Sequence, residues 1–527
     1  MGPRTSLHHP CRSRRVTAQG AGRRTKGGEA RPFGHATTRR THGCGREGEP
    51  RGRLLPHDLR PSEEDPEHEE PERFPPSRRR PAPHRREFLK TVASGAAAAS
   101  LVGFPHVSRA QTKLSLGLWD HWVPGANDAL KKVIEEWGRA NKVEVAIDFI
   151  TSIGNKLDLT GAAEYRAGAG HDIIAFGTWN GTLYKDKLEP MSDVAEVLIK
   201  KYGNFNENAT YLNFQDGRWV TLPSPIGSHT YPLETRMDFW KQHAGIDVQD
   251  IFPTDLKKRV PAKVQAWDWK MFLAGAKKVH AAGFPFGASI AENTDSNDWL
   301  GPLFASHGVV PINEKGDITI ESDATVGVIE YLRELTQFMP KEIYGWDDAS
   351  NNRWLISGKG SAIINPPSAW TVAKRDQPAV AAQVWHHDVP RGPKGHFRGA
   401  LPFSWGVWKF SKSKQAAKDL LLHVCQREVQ WKLITASQGY DYPQLPSFMD
   451  HPVWTEIGPP AGGQYNYPVR GDEKLIVAGW PAKQEYGVQI YYKWLLPTMV
   501  GKVTGGGMAP KDAMKWAAKE LEGYKRG

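Results

Sequence analysis

The sequence has 527 residues, more than the about 250–300 at which a single hydrophobic core stops growing, so more than one lobe is expected. Its net charge of +11 lies almost wholly at one end, because residues 1–110 contain 22 Lys and Arg against 12 Asp and Glu. The remaining 47 basic and 46 acidic residues nearly cancel. This distribution argues against a nucleic-acid-binding surface on the body of the fold.

Residues 1–80 form an Arg-rich segment with few apolar side chains. Such a composition cannot bury enough surface to offset its conformational entropy, so we expect a disordered extension. An incorrectly assigned start codon would explain it. A nucleic-acid-binding arm is the alternative, but neither Trp nor Tyr is interleaved with the basic residues.

Residues 81–110 have the three regions of a secretory leader: basic residues, an apolar stretch and a small-residue cleavage site. Arg85 and Arg86, followed by Phe88-Leu89-Lys90, resemble the twin-arginine export signal. The Ala-rich stretch that follows is too short to span a bilayer. We expect cleavage after Ala110 and a mature chain from Gln111. The alternative is a buried Ala-rich helix after a chance Arg pair.

Cys425 is the only Cys after residue 110, so no intramolecular disulfide is expected in an oxidising compartment. No Cys stands at the predicted cleavage site, where a lipid-anchored protein would need one. No apolar run of about 18 residues follows the leader. The sequence therefore predicts a soluble periplasmic protein.

The body begins with a β-α-β-α-β pattern. Leu114, Leu116 and Leu118 alternate with small residues as in a strand, and Asn127 is expected to cap a helix after it. Residues 143–149 alternate again, residues 158–166 favour a helix, and the apolar run 173–176 favours a third strand. This order predicts a parallel sheet with ligands at the carboxyl ends of its strands.

These strand ends are rich in aromatic and polar residues. Three adjacent strands would bring them to one edge of the sheet, although a single Trp there is often only a core residue. The residues that follow the three strands are Trp119, Asp120, His121 and Trp122, then Thr151 and Ser152, then Thr178, Trp179 and Asn180.

Farther along, longer helices dominate. Amphipathic helices are expected at 268–282 and 324–338, the second after a short strand at 318–320, and one or two helices at 413–437. Pro223, Pro225 and Gly227 mark a break where the chain leaves the first lobe.

Several segments, in order, resemble the family 1 extracellular solute-binding proteins of ABC importers. Their order over more than 400 residues carries the resemblance, because each pattern is weak alone. The segments are Trp267-Asp268-Trp269 with its helix, 316–322, Gly358 to Asn365 leading to Trp370, Ser404 to Trp408 with the helix after it, and 496–520.

The resemblance implies a periplasmic-binding-protein type II-like α/β fold. Two α/β lobes are joined by crossing strands, with a ligand cleft between them that closes by hinge motion. It implies a first lobe at 111–222 and 388–440 and a second lobe at 223–387 and 441–527. It also implies a monomer that carries a carbohydrate to an ABC permease of the inner membrane, with no enzymatic activity.

Sugars offer apolar ring faces and hydroxyl edges, so their sites need aromatic platforms and short polar partners. For Trp405, packing between the lobes explains the residue as well as a ligand contact does. For residues 292–298, a solvated loop is an equal alternative to a binding site. The candidate platforms are Trp119, Trp122, Trp179, Tyr231, Trp299, Trp370 and Trp405, and the candidate hydroxyl partners are His121, Asn180, Asp295, Asn297 and Asn365.

Three other classes of function stay open at this stage. A secreted glycoside hydrolase needs two carboxylates across its cleft, and Asp120 with Asp295 or Asp347 would supply them, although no local motif supports the pair. A non-sugar solute, such as a polyamine or a phosphodiester, would suit the same fold. A metal-binding protein is the third, through the segment His386-His387-Asp388.

Neither a metal site nor a cofactor is expected. Adjacent side chains on an extended segment point to opposite faces, so His386 and His387 would not share one ion and are expected at the surface near a lobe crossing. After residue 110 the chain has no Cys-x-x-Cys, and no Gly-x-Gly-x-x-Gly follows the first strand.

Overall fold

The computed structural model of the protein describes residues 112–456 and 467–526. The predicted Arg-rich extension and signal peptide lie outside these residues, as does the predicted cleavage site. None of the described helices is long and apolar enough to cross a membrane.

The described part of the chain contains 14 short strands. They are β1 (Thr112–Trp119), β2 (Val143–Ile150), β3 (Ile173–Phe176), β4 (Phe214–Gln215), β5 (Arg218–Trp219), β6 (Leu222–Pro223), β7 (His229–Tyr231), β8 (Leu233–Arg236), β9 (Phe286–Gly287), β10 (Ala362–Ile364), β11 (Val384–His387), β12 (Phe397–Leu401), β13 (Ser404–Val407) and β14 (Lys474–Ile476).

Twenty α-helices surround these strands in the same residues. They are α1 (Ala126–Asn141), α2 (Lys156–Ala167), α3 (Asn180–Tyr184), α4 (Ser192–Tyr202), α5 (Glu207–Asn213), α6 (Met237–Phe239), α7 (Val248–Ile251), α8 (Pro261–Ala266), α9 (Trp269–Ala281), α10 (Thr294–Ser306), α11 (Asp323–Leu335), α12 (Ser350–Ile356), α13 (Ser368–Asp376), α14 (Pro378–Ala381), α15 (Lys414–Val424), α16 (Arg427–Ala436), α17 (Val453–Glu456), α18 (Gln484–Tyr492), α19 (Leu495–Thr504) and α20 (Pro510–Lys525).

Two main sheets define the two lobes. The first has the strand order β2-β1-β3-β13-β6, and its first three strands are parallel, as the β-α-β-α-β pattern predicts. The second has the order β11-β8-β10-β9, with β8 antiparallel to both of its neighbours. The α/β class predicted from the sequence is confirmed.

A third sheet, of order β14-β12-β7, lies where the chain crosses between the lobes. Strand β7 follows β6 of the first sheet and precedes β8 of the second, with Pro232 alone separating β7 from β8. Strand β12 makes the return crossing, from β11 to β13, and pairs antiparallel with β7. The two crossings therefore support each other through backbone hydrogen bonds.

Helix α10 packs directly on the crossing strand β12. A Cβ atom added to Gly399 of β12 would overlap the carbonyl oxygen of Asp298 in α10. Only glycine allows the two backbones to approach this closely. This contact fixes α10, which carries site residues, against the crossing.

Helix α1 buries Leu130, Ile134 and Trp137 against the first sheet, as its periodicity predicts. The predicted cap is wrong, however. Gly125, with φ of 88°, precedes the helix, and Asn127 lies inside its first turn. The side-chain oxygen of Asn127 instead accepts a hydrogen bond from the backbone N–H of His121, at 3.1 Å.

The prediction of a short strand at 318–320 is also wrong. The strand is reduced to an isolated bridge between Ile312 and Ile318. The side chain of Asn313 holds the turn between them by accepting hydrogen bonds from the N–H groups of Lys315 and Asp317, both at 2.9 Å.

Residues 386–388 are buried, so their predicted position at the surface is wrong. The Nε2 atom of His386 lies 3.4 Å from a carboxylate oxygen of Glu234, and Asp388 forms a 3.1 Å ion pair with Arg259. Burial lowers the pKa of His386 to about 3 and raises that of Glu234 well above its ordinary value, so these two groups are neutral at pH 7. The ion pair with Arg259 offsets part of the cost of burying Asp388.

Cys425 is buried and free. Its Sγ atom lies 4.0 Å from the carbonyl oxygen of Pro223. Burial raises the pKa of this thiol to about 12.

Candidate functional site

A cleft between the two lobes encloses about 660 Å³ outside the protein atoms, part of it open to solvent. Its walls come from both main sheets, and its floor comes from the crossing strands.

The first wall is the carboxyl edge of the parallel strands. Trp119 ends β1, Ser152 follows β2 and Thr178 follows β3, and all three line the cleft. The indole N–H of Trp119 donates to the Ser152 hydroxyl at 3.3 Å. The ring of Trp122, which is half-buried, meets the Trp119 ring edge-on at 6.5 Å. The sheet edge thus presents aromatic faces beside hydroxyl groups.

The floor is aromatic as well. His229 and Tyr231 of β7 line it together with Phe403, which follows β12. The His229 ring lies 3.2 Å from the Tyr231 hydroxyl, and burial lowers the pKa of His229 to about 4. His229 is therefore neutral at physiological pH and supplies no positive charge to the cleft.

The opposite wall is polar. Asp295 in the first turn of α10, Asp348 before α12, and Asn365 after β10 all line the cleft. The Asn351 amide donates to both Asp295, at 2.8 Å, and Asn365, at 2.9 Å. The Asn365 amide in turn donates to the side-chain oxygen of Asn352 at 2.7 Å. This network fixes the orientation of the amide and carboxylate groups that face the ligand space.

Three carboxyl groups share the cleft: Asp158 of α2, Asp295 and Asp348. Burial is the main cause that raises the pKa of each one. For Asp348 the pKa rises to about 6, helped by the charges of Asp158 and Asp347. For Asp295 the nearby carboxylates of Asp348 and Asp298 add to the effect of burial. The cleft therefore concentrates carboxyl groups that resist ionisation unless a positive charge is near them.

The residues predicted as ligand contacts divide into three groups. Five of them line the cleft, and they come from both walls and from the floor. These are Trp119, Trp122, Tyr231, Asp295 and Asn365.

Four other predicted contacts are tryptophans that lie outside the cleft lining and are buried in packing. The indole N–H of Trp179 donates to the carbonyl of Ala478 at 3.0 Å, and that of Trp299 donates to the carbonyl of Ser289 at 2.8 Å. Trp405 lies on β13 with 1% of its surface exposed, and the ring of Trp370 meets that of His386 edge-on.

The remaining three predicted contacts do not line the cleft but hydrogen-bond to residues near it. The Asn180 amide donates to Asp158 at 2.7 Å, and the Asn297 amide donates to the carbonyl of Tyr491 at 2.9 Å. The His121 ring lies 3.2 Å from the carboxylate of Asp441. Asn180 thus positions a carboxylate that lines the cleft, and Asn297 contacts the backbone of Tyr491, which also lines it.

Sequence reasoning missed several lining residues, among them Asp158, Asp348, Tyr440, Tyr491 and Tyr492. Asp158 had a usable signal, because it lies in the first turn of the helix that follows β2, at the carboxyl edge of the sheet. The other four come from distant parts of the chain and carry no local pattern.

The carboxylate pair considered for a hydrolase is not brought together in the cleft. Asp295 lines it, but Asp120 is exposed and accepts a hydrogen bond from Asn127 at 2.6 Å. Asp347 forms a 2.7 Å ion pair with Arg353 outside the lining. Among residues 112–456 and 467–526, no group of three His, Cys, Asp or Glu side chains is placed to hold a metal ion.

Several solved structures are similar to this chain over nearly their whole length. Maltose-bound MalE3 of T. maritima is 19% identical, with a TM-score of 0.62, and the match covers 78% of this chain and 99% of that one. A sugar transporter of Arthrobacter chlorophenolicus A6 with bound laminaribiose is 16% identical, with a TM-score of 0.61 and coverage of 78% and 99%.

A solute-binding protein of an ABC transporter from Agrobacterium radiobacter K84, in complex with ribitol, is 15% identical, with a TM-score of 0.58 and coverage of 78% and 98%. At such identities the likeness establishes the fold, which is that of the two-lobed type II-like periplasmic binding proteins. A comparison with curated proteins returned no match.

The family profile described as bacterial extracellular solute-binding protein matches residues 132–458, more than half of the chain. Those residues include β2, β3, both crossing strands and most of the cleft lining. The chain therefore belongs to the bacterial extracellular solute-binding proteins, the exported binding components of ABC transporters.

Proposed function

We propose that this protein binds a carbohydrate in the cleft between its lobes and delivers it, chemically unchanged, to the permease of an ABC importer. The observation that carries the proposal is the composition of the cleft. Aromatic rings from the first wall and the floor face amide, hydroxyl and carboxylate groups on the second wall. Ring faces and hydroxyl edges of a sugar require this combination.

The related structures support the same class of ligand. Three of them hold maltose, laminaribiose and ribitol, all of which are polyhydroxylated. None of those proteins is more than 19% identical to this chain, so the identity of the solute has to be measured.

We further propose that the chain acts as a periplasmic monomer. It would be exported by the twin-arginine route and cleaved near Ala110. Its first lobe would comprise 111–222 and 388–440, and its second lobe 223–387 and 441–527. In this assignment β7 and β12 form the hinge, and closure brings Trp122 towards Asp295 and Asn365.

Isothermal titration of the purified protein against a library of mono- and oligosaccharides tests the proposal. We expect one-to-one binding of at least one sugar at micromolar concentration or below, with quenching of Trp fluorescence as rings stack in the cleft. Chromatography of the released ligand should recover it intact. Hydrolysis of the bound sugar, lost in a variant of one cleft carboxylate, would instead support a glycosidase.

A further inference from the structure

Among the residues that the structure describes, the cleft lining contains three carboxyl groups and no Lys or Arg side chain. The carboxyl groups are those of Asp158, Asp295 and Asp348. Arg353 lies near Asp348 in the sequence but pairs with its neighbour Asp347, at 2.7 Å. His229, the histidine of the lining, is neutral for the reason given above. Within the described part of the chain, the cleft charge is therefore not compensated from its own walls.

Neutral groups supply the hydrogen bonds that these carboxylates accept. Asp158 accepts from the Asn180 amide at 2.7 Å, and Asp348 accepts from the Thr294 hydroxyl at 3.2 Å. Asp295 accepts from the Tyr231 hydroxyl at 3.2 Å as well as from the Asn351 amide. Such bonds hold the carboxylates in position but do not cancel their charge.

A fourth carboxylate lies behind the same wall. One oxygen of Asp298 accepts from the Tyr491 hydroxyl at 3.0 Å, and the other has no hydrogen-bond partner in residues 112–456 and 467–526. Asp298 is fully buried, so solvent screens its charge poorly. Burial raises the pKa of this carboxyl group well above its ordinary value, so a cation beside Tyr491 would favour its ionised form.

The charges also face each other across the cleft. Asp158 belongs to the first lobe's wall and Asp348 to the second, yet the charge of Asp158 raises the pKa of Asp348. Closure around a neutral solute would bring like charges together in a space with little water. A cation between them would convert this repulsion into attraction from both lobes.

A hydroxyl group donates one hydrogen bond and brings no charge, whereas an ammonium group donates three and brings a full positive charge. The aromatic rings of Trp122, Tyr231 and Tyr491 around the carboxylates also attract cations through their faces. We propose that the solute bound here carries a protonated amine held between Asp158, Asp295 and Asp348, so that its natural ligand is an amino sugar or another polyhydroxylated amine. The inference rests on the proposed binding function and refines its ligand class.

Matched ligands test this directly. Isothermal titration at pH 7 would compare the glucosamine disaccharide with cellobiose, in which hydroxyls replace the amines, and with N,N′-diacetylchitobiose, in which acetylation removes the charge. Spermidine serves as a cation without a sugar ring. We expect the glucosamine disaccharide to bind at least roughly tenfold more tightly than either neutral disaccharide, a free-energy difference of about 1.4 kcal/mol.

Two variants locate the charge. Asp348→Asn should remove most of this preference, and Asp158→Asn should do the same from the other wall. Asp347→Asn is the matched control, because Asp347 is the adjacent residue but pairs with Arg353 and does not line the cleft. It should leave the preference unchanged, and thermal unfolding of each variant verifies that it folds.

The outcomes separate the two proposals. Equal or tighter binding of cellobiose or diacetylchitobiose would overturn the amine inference and leave the carbohydrate function standing. Binding of spermidine alone would support the cationic ligand and overturn the carbohydrate assignment. Failure of both amine-bearing probes to bind at millimolar concentration would overturn the inference.

Discussion

At the scale of single residues, Trp122 and Trp405 show how differently a tryptophan behaves at a cleft and in a core. Trp122 lines the cleft, and it is half-buried with one edge against Trp119. Trp405 lies in the middle of the first sheet, between β3 and β6, with 1% of its surface exposed. Trp122 follows a strand in the sequence and Trp405 lies within one, and their neighbours in space decide their roles.

Substitution of the two residues should therefore affect different quantities. Trp122→Ala should weaken ligand binding by about 1–3 kcal/mol, roughly ten- to a hundredfold, because an aromatic contact is lost at the ligand surface. Trp405→Ala should lower the free energy of unfolding by about 3–5 kcal/mol through the cavity that it leaves. Titration calorimetry and urea unfolding measure the two effects. A Trp122→Ala protein with unchanged affinity would remove this residue from the site.

At the scale of secondary-structure elements, the contact of α10 with β12 connects the ligand site to the hinge. The first turn of α10 presents Asp295 to the cleft, and the next turn rests on Gly399 of the crossing strand. The helix therefore moves with this crossing strand rather than independently of it.

Gly399→Ala should destabilise the protein by about 1–3 kcal/mol or more, because its methyl group would overlap the backbone of α10. Gly327→Ala is the matched control. Gly327 is exposed in the interior of α11, a Cβ atom there would meet no neighbour within 4 Å, and the helix should gain about 0.5–1 kcal/mol. Urea unfolding of both variants should give opposite signs. Equal stability of the two would mean that α10 can shift at little cost.

The strands of the first sheet show which part of the site can be predicted from the sequence. The parallel strands β1 to β3 follow from alternation and from apolar runs, and a parallel sheet brings Trp119, Ser152 and Thr178 to one edge. One wall of the site was therefore predictable from local pattern together with one topological rule.

Several other residues that line the cleft were not predictable in this way. Asp348, Tyr440 and Tyr491 reach the cleft from segments that are distant in sequence and joined only by the crossings. Nothing local distinguishes them from surface or core residues of the same type. For the same reason, buried tryptophans such as Trp179 and Trp299 could not be separated from cleft tryptophans before their neighbours were known.

At the scale of the whole molecule, the cleft carboxylates reduce the stability of the ligand-free protein at neutral pH. The folded-state pKa of Asp348 is about 6, above the ordinary value of 3.8, mainly because of burial. The folded protein thus binds an extra proton between these values. The penalty is absent below pH 3.8 and develops as the pH rises through 6.

Asp348→Asn should therefore raise the free energy of unfolding at pH 7.5 by about 1–3 kcal/mol and change it little at pH 4. Asp347 is expected to have the opposite effect on the free energy of unfolding. Burial raises its pKa, but hydrogen bonds from Ser350 and Arg353 outweigh burial and lower it. Asp347→Asn should consequently cost stability at pH 7.5, and less as the pH falls. Urea unfolding at both pH values measures the effects. If the change in unfolding free energy depended on pH in the same way for both variants, the opposite pKa shifts of Asp348 and Asp347 would be contradicted.

The buried thiol of Cys425 makes this protein suitable as an optical sensor of its own solute. A buried thiol with a pKa of about 12 reacts very little with maleimide dyes at neutral pH. Leu159, 60% exposed and next in sequence to the lining residue Asp158, offers an accessible position on α2 for an engineered cysteine. A dye attached there would report closure of the lobes as a change in emission, while Cys425 stays unlabelled in the core.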